Sequence, residues 1–166
     1  MRSTTAVWAL RAGALLLLGA VAGCAAAGGD RTCTAMGVPV GVALDIAPED
    51  AAGVRAAEME VCWDGECREP GIELSDSSES VDQGCEGGVC SAESVPTGGK
   101  HAFASVEDLP EAPVGVRVRL LGDDGEELFD ETVTATPEML EANGPGCGEG
   151  GPQAGVEIED GALRER

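Results

Sequence analysis

Apolar residues recur along much of this chain at every second position, the period at which a strand turns one face to a core. Val40, Val42, Leu44 and Ile46 alternate within residues 38–46. Val114, Val116, Val118 and Leu120 do so most plainly, with Gly115, Arg117 and Arg119 between them. The same pattern predicts strands at 56–63, from Glu66, at 101–106, at 128–135 and at 154–158. Helical signals are few. Pro48-Glu49-Asp50 suits one helical turn, because a proline and acids fit a first turn. Thr136-Pro137 is expected to cap a second turn of helix ending at Asn143-Gly144.

Turn residues divide these strands. Asp64-Gly65 between two strand-like runs is a strong two-residue hairpin signal, since a type I′ turn needs φ > 0 at both central positions. Trp63 and Glu66 then form the hydrogen-bonded pair, and Cys62 and Cys67 the next one. Such non-hydrogen-bonded pairs bring Cα atoms to about 4.5 Å, within a disulfide's reach. Leu109-Pro110 and Gly122-Asp123-Asp124-Gly125 mark further turns.

Residues 75–100 break the pattern. They are rich in Ser, Gly and acids (Asp76, Glu79, Asp82, Glu86, Glu93) with no sustained period. The expectation is a long acidic loop, clipped locally by Cys85 and Cys90, which repeat the spacing of Cys62 and Cys67. Around it, residues 33–160 are expected to form one all-β sandwich domain, with 161–166 as a charged tail. The run from His101 through Ala135 resembles the final strands of immunoglobulin-like and fibronectin type III-like domains. It has a strand, a Leu-Pro turn, an alternating Val strand, an acidic Gly turn and a long last strand. The resemblance implies a disulfide-stabilised immunoglobulin-like β-sandwich, although no pairing of two sheet cysteines around a central Trp is visible.

The N-terminus follows a different logic. Arg2 and Arg11 flank a short mixed segment, followed by an apolar run from Ala14 and small residues up to Cys24. This describes a secretory signal peptide over residues 1–23. Val21-Ala22-Gly23-Cys24 resembles the bacterial lipobox, in which the cysteine thiol takes a diacylglyceryl group and the preceding peptide bond is cut. The resemblance implies lipid on Cys24, a flexible Ala/Gly-rich tether over 24–32, and a location on the extracytoplasmic face of the cell membrane. Two other outcomes compete. Ala20-Val21-Ala22 is also an A-x-A cleavage site that would release a soluble protein from Gly23. An uncleaved anchor would need about 20 predominantly apolar residues, and this stretch thins after Leu18. With Cys33-Thr34 and Asn143-Gly144-Pro145-Gly146-Cys147 added, the chain resembles secreted actinobacterial lipoproteins of unknown function, which implies no activity.

Cysteine number agrees with lipidation. Seven cysteines leave an odd thiol in an oxidising compartment, and acylating Cys24 removes it. The remaining six allow 15 pairings. Spacing favours Cys62–Cys67 and Cys85–Cys90, and elimination then leaves Cys33–Cys147.

Charge narrows the partners. The whole chain carries −21. Without Arg2 and Arg11 the mature 143 residues keep 8 bases against 31 acids, a charge of −23. Such a surface repels nucleic acid and anionic headgroups. Basic proteins, cations and neutral ligands remain, besides the membrane reached through Cys24.

Chemistry-bearing constellations are sparse. Two C-x4-C pairs lie at the edge of zinc spacing, but exported thiols face oxidation. Asp123, Asp124, Glu126, Glu127 and Asp130 crowd one turn without the EF-hand spacing. His101 is the only histidine, Lys100 beside it would point to the opposite strand face, and no G-x-S-x-G is present. No catalytic residue, metal ligand or cofactor is assigned. Of the mature chain's rings, Trp63, Phe103 and Phe129, only Trp63 sits beside an exposed turn, and core packing is the expectation even for it. The expected function is a non-catalytic binding or structural module at the cell envelope. The alternatives are an accessory protein that binds a small molecule or cation for a transporter or sensor, and then a secreted enzyme.

Overall fold

A computed structural model describes residues 33–34, 36–144, 146–148 and 150–166. The chain divides into two compact units, Met1–Thr34 and Ala35–Arg166, and the fold below is that of the second. The expected signal peptide over 1–23, the expected lipid site Cys24 and the expected tether over 24–32 lie outside the described residues.

Among the described residues ten strands build two sheets: β1 (Gly41–Ile46), β2 (Ala56–Trp63), β3 (Glu66–Arg68), β4 (Ser75–Glu86), β5 (Val89–Ser105), β6 (Val114–Leu121), β7 (Glu127–Ala135), β8 (Glu138–Met139), β9 (Pro152–Glu159) and β10 (Ala162–Glu165). One sheet runs β10-β9-β1-β5-β4, with β8 also paired to β9; the other runs β3-β2-β6-β7. The molecule is an all-β sandwich. Within it, β4-β5-β1 of the larger sheet and β3-β2-β6-β7 of the smaller one are each joined by hydrogen-bonded neighbours in that order. The place beside β1 is filled from the C-terminus by β9, which runs parallel to it.

The core lies between the sheets and is written by alternation. Val42, Leu44 and Ile46 of β1 are buried, as are Met59 and Val61 of β2 and Val156 and Ile158 of β9. Val114, Val116, Val118 and Leu120 of β6 are at most 2% exposed. Each buried aliphatic side chain of this size is worth about 1.5–3 kcal/mol, and β6 supplies four in eight residues. Among the described residues no polar or charged residue is buried as a whole.

Four expectations need correction. Residues 75–100 are not a loop: Ser75–Glu86 and Val89–Ser105 pair as a long antiparallel hairpin. Residues 161–166 are not a free tail. Ala162–Glu165 turns back on β9 at Asp160-Gly161, and Leu163 packs into the core. The domain therefore extends past residue 160. The segment after Thr136-Pro137 makes no helix; Glu138 and Met139 bridge to Gln153 and Pro152 instead. The first strand opens at Gly41 rather than Val38. The single helical turn after β1 is present, closed by the Ala51 N–H donating to the Ala47 carbonyl at 2.9 Å.

Candidate binding surface

The β4–β5 hairpin projects from the sandwich. β1 pairs with β5 only from Ser105 back to Lys100, opposite Ile46. Toward the turn, β5 has only β4 beside it among the described residues. From Ser78 to Glu86 this two-stranded finger spans roughly 27 Å at about 3.4 Å per residue. Its side chains are exposed on both faces almost throughout, Val89 at the tip to 73%. It contributes almost nothing to the core.

Local chemistry holds the finger together where burial does not. Gly87 and Gly88 take φ of 59° and 83°, the two left-handed positions of a type I′ turn that closes on the Glu86–Val89 pair. Cys85 and Cys90 are the next pair and are joined, with Cα atoms 3.9 Å apart. Ser94 donates to the Ser78 hydroxyl at 3.0 Å, and Gln83 reaches Glu93 at 3.4 Å. At the root, Lys100 Nζ lies 2.7 Å from Asp76. That hydrogen bond, reinforced by the lysine's charge, holds the Asp76 carboxyl below the ordinary aspartate range. Gly99 sits where a Cβ would come within 2.7 Å of the Ile46 carbonyl, so only glycine lets the finger leave the sheet this close to β1.

The second hairpin repeats the design. Cys62 and Cys67 pair in register and are bonded, Cα atoms 4.1 Å apart, behind the Asp64-Gly65 turn with φ of 52° and 79°. Cys33 and Cys147 are each disulfide-bonded as well. Glu60 approaches the sulfurs of Cys62 and Cys67 closely enough for a metal cluster. With both sulfurs in a disulfide, Glu60 is the one charged donor there.

Charges on the outer face of the four-stranded sheet pair across strands. Arg117 bonds Asp130 through two nitrogens, at 2.7 and 2.5 Å. Those hydrogen bonds hold the Asp130 carboxyl low and push the guanidinium higher still. Arg119 meets Glu58 at 2.9 Å. Beside this ladder lies an open groove of about 450 Å³ lined by Glu58, Glu60, Glu69, Ile72, Arg117 and Arg119.

The remaining sequence candidates disperse. Asp123 pairs with Arg55 at 2.9 Å and Asp130 with Arg117, so the acids at the β6–β7 turn are partly spoken for by arginines. His101 Nδ1 lies 3.2 Å from the Ser77 hydroxyl, both on the finger's root. Trp63 is half-buried against the core, with Arg68 over its ring at 5.0 Å. Among the described residues no helix is long and apolar enough to cross a membrane.

What the sequence reading missed is the finger itself. Its signal was available: Gly87-Gly88 between two cysteines at the spacing of the Asp64-Gly65 hairpin. The finger has no buried face, so it shows no alternation. No family model, curated protein or solved structure matches the chain.

Proposed function

We propose that this chain is an extracytoplasmic lipoprotein, exported by residues 1–23 and anchored through diacylglycerol on Cys24. It acts there as a non-catalytic binding module whose recognition element is the β4–β5 finger. The observation that carries this reading is an ordered, disulfide-clipped hairpin held outside the core, exposed on both faces. Such an element costs conformational entropy without repayment in burial, and a rigid scaffold presenting an exposed segment is a common recognition design. An immunoglobulin-like sandwich, secretion and membrane attachment belong to the same proposal. Nucleic acid is not among its partners, because a mature charge of −23 repels it.

Two measurements test it. Cells producing the chain should incorporate labelled palmitate into it and retain it with membranes, and Cys24→Ala should abolish both. Unlabelled wild-type protein in the medium, starting at Gly23, overturns the anchor. A photo-crosslinker at Ser80 in anchored protein should yield a discrete adduct that one at Glu111 does not. Equal adduct patterns from both positions overturn the finger as the recognition element.

The groove beside Arg117 and Arg119 supports a second reading, a site for a small zwitterion or cation. Both of its arginines are already paired, Arg119 with Glu58 and Arg117 with Asp130, which leaves less binding energy for an anionic group.

A further inference from the structure

We infer that the outer edge of β4, from Ser78 to Asp82, is a docking edge for an extended, basic segment of another protein, which adds to the finger as a further strand. This deepens the binding-module reading and rests on it.

Backbone geometry selects the edge. Alternation counted back from the Glu86–Val89 pair, through the extra residue Gln83 at the bulge between Asp82 and Gly84, makes Ser78, Ser80 and Asp82 non-hydrogen-bonded partners of β5. Their N–H and C=O groups therefore point away from β5, into solvent. Among the described residues β4 is the terminal strand of its sheet. Natural edges are blunted by charges, above all lysine, by proline or by bulges; β4 has no lysine or proline over its 12 residues, its bulges lie outside Ser78–Asp82, and its charges are all acidic, which opposes only a partner of like sign. The finger's other edge is blunted. By the same alternation Pro96, opposite Ser78, turns its ring nitrogen outward on β5, and it has no N–H to give.

Charge selects the occupant. Glu79, Asp82, Glu86 and Glu93 stand on the finger, and residues 69–99 contain no lysine or arginine. A second copy would bring the same acids against them and a mature charge of −23 against its own, so edge-to-edge self-pairing is opposed. A strand bearing lysines or arginines meets complementary charge on both faces of the ribbon, while its backbone completes the ladder. The Ser78, Ser80 and Ser94 side chains are small and leave the edge accessible.

The test uses the full lipidated chain in neutral-detergent micelles and a ten-residue peptide alternating Lys and Thr. Its counterpart, N-methylated at every backbone amide, keeps the charge and loses the ladder donors. The Lys-Thr peptide should slow amide exchange at Ser78, Ser80 and Asp82 at least tenfold and bind at least tenfold more tightly than the N-methylated form. Ser80→Pro, which removes one outward N–H, should abolish that difference while the Val89 amide at the tip keeps its wild-type shift. If Ser80→Pro unfolds the finger, the paired peptides on wild-type protein still decide. Equal binding of the two peptides means charge attraction alone and overturns edge pairing. So does the same protection from calcium chloride alone, or protection that grows with protein concentration without peptide. A discrete Ser80 adduct in cells, together with equal peptide binding, removes this inference and leaves the binding module standing.

Discussion

Single residues divide into those that hold the sandwich and those that only furnish its surface. Leu44 is fully buried between the sheets and Val89 is exposed on the finger. Leu44→Ala should destabilise the domain by about 2–5 kcal/mol, the usual range for emptying a core leucine site. Val89→Ala should stay within about 0.5 kcal/mol, as surface changes do. Denaturant unfolding of both variants checks the contrast. Asp76 and Asp130 are both held below the ordinary value near 3.9 by a hydrogen-bonded base. Their contribution to stability is present above that value and lost as pH falls through the lower, folded one. Both pairs are solvent-exposed, so the contribution is small. Carboxyl carbon titration should find both groups ionised below pH 3.9, and Lys100→Met should return Asp76 toward the ordinary value while leaving Asp130 unchanged.

At the scale of elements, two similar disulfides should behave differently. Each closes a short loop, worth about 2 kcal/mol on the chain-entropy model. Cys62–Cys67 ties β3 to β2, a strand that buries Met59 and Val61; Cys85–Cys90 ties the tip of a finger outside the core. Replacing the first pair with alanine should lower the thermal midpoint by several degrees. Replacing the second should leave it nearly unchanged and instead speed amide exchange between Ser78 and Pro96. Replacing residues 78–96 with Asn-Gly should likewise preserve the midpoint, because Gly99, Lys100 and Ala102 stay in place on β1. A large fall would show the finger to be part of the core. The strands legible from sequence were those with a buried face: β6 was readable residue by residue, and β2–β3 followed from Asp64-Gly65. β4 was not, because neither of its faces is buried. β10 was not, because Leu163 is the only residue of its four that reaches the core. The Thr136-Pro137 signal predicted a helix, but no apolar periodicity followed it, and Glu138 and Met139 took up the free edge of β9.

The whole molecule combines a neutral core with a strongly anionic surface. The chain, at −21, should remain monomeric at low ionic strength, and its attraction for basic partners should weaken as salt shortens the Debye length. Of the site residues drawn from sequence, the four hairpin cysteines were placed by spacing alone. Cys33–Cys147 came only from elimination, and peptide mapping of the intact chain should recover that cross-link. The finger's role depends on its being a stiff hairpin in solution, since a disordered acidic loop presents no edge. The most direct measurement is cross-strand contacts by NMR in the full chain. Hα–Hα contacts should join Ser80 to Ser94 and Asp82 to Ala92, with strand-like shifts from Ser78 to Pro96. Random-coil shifts over that span, with no cross-strand contacts, would contradict the finger and the binding edge built on it.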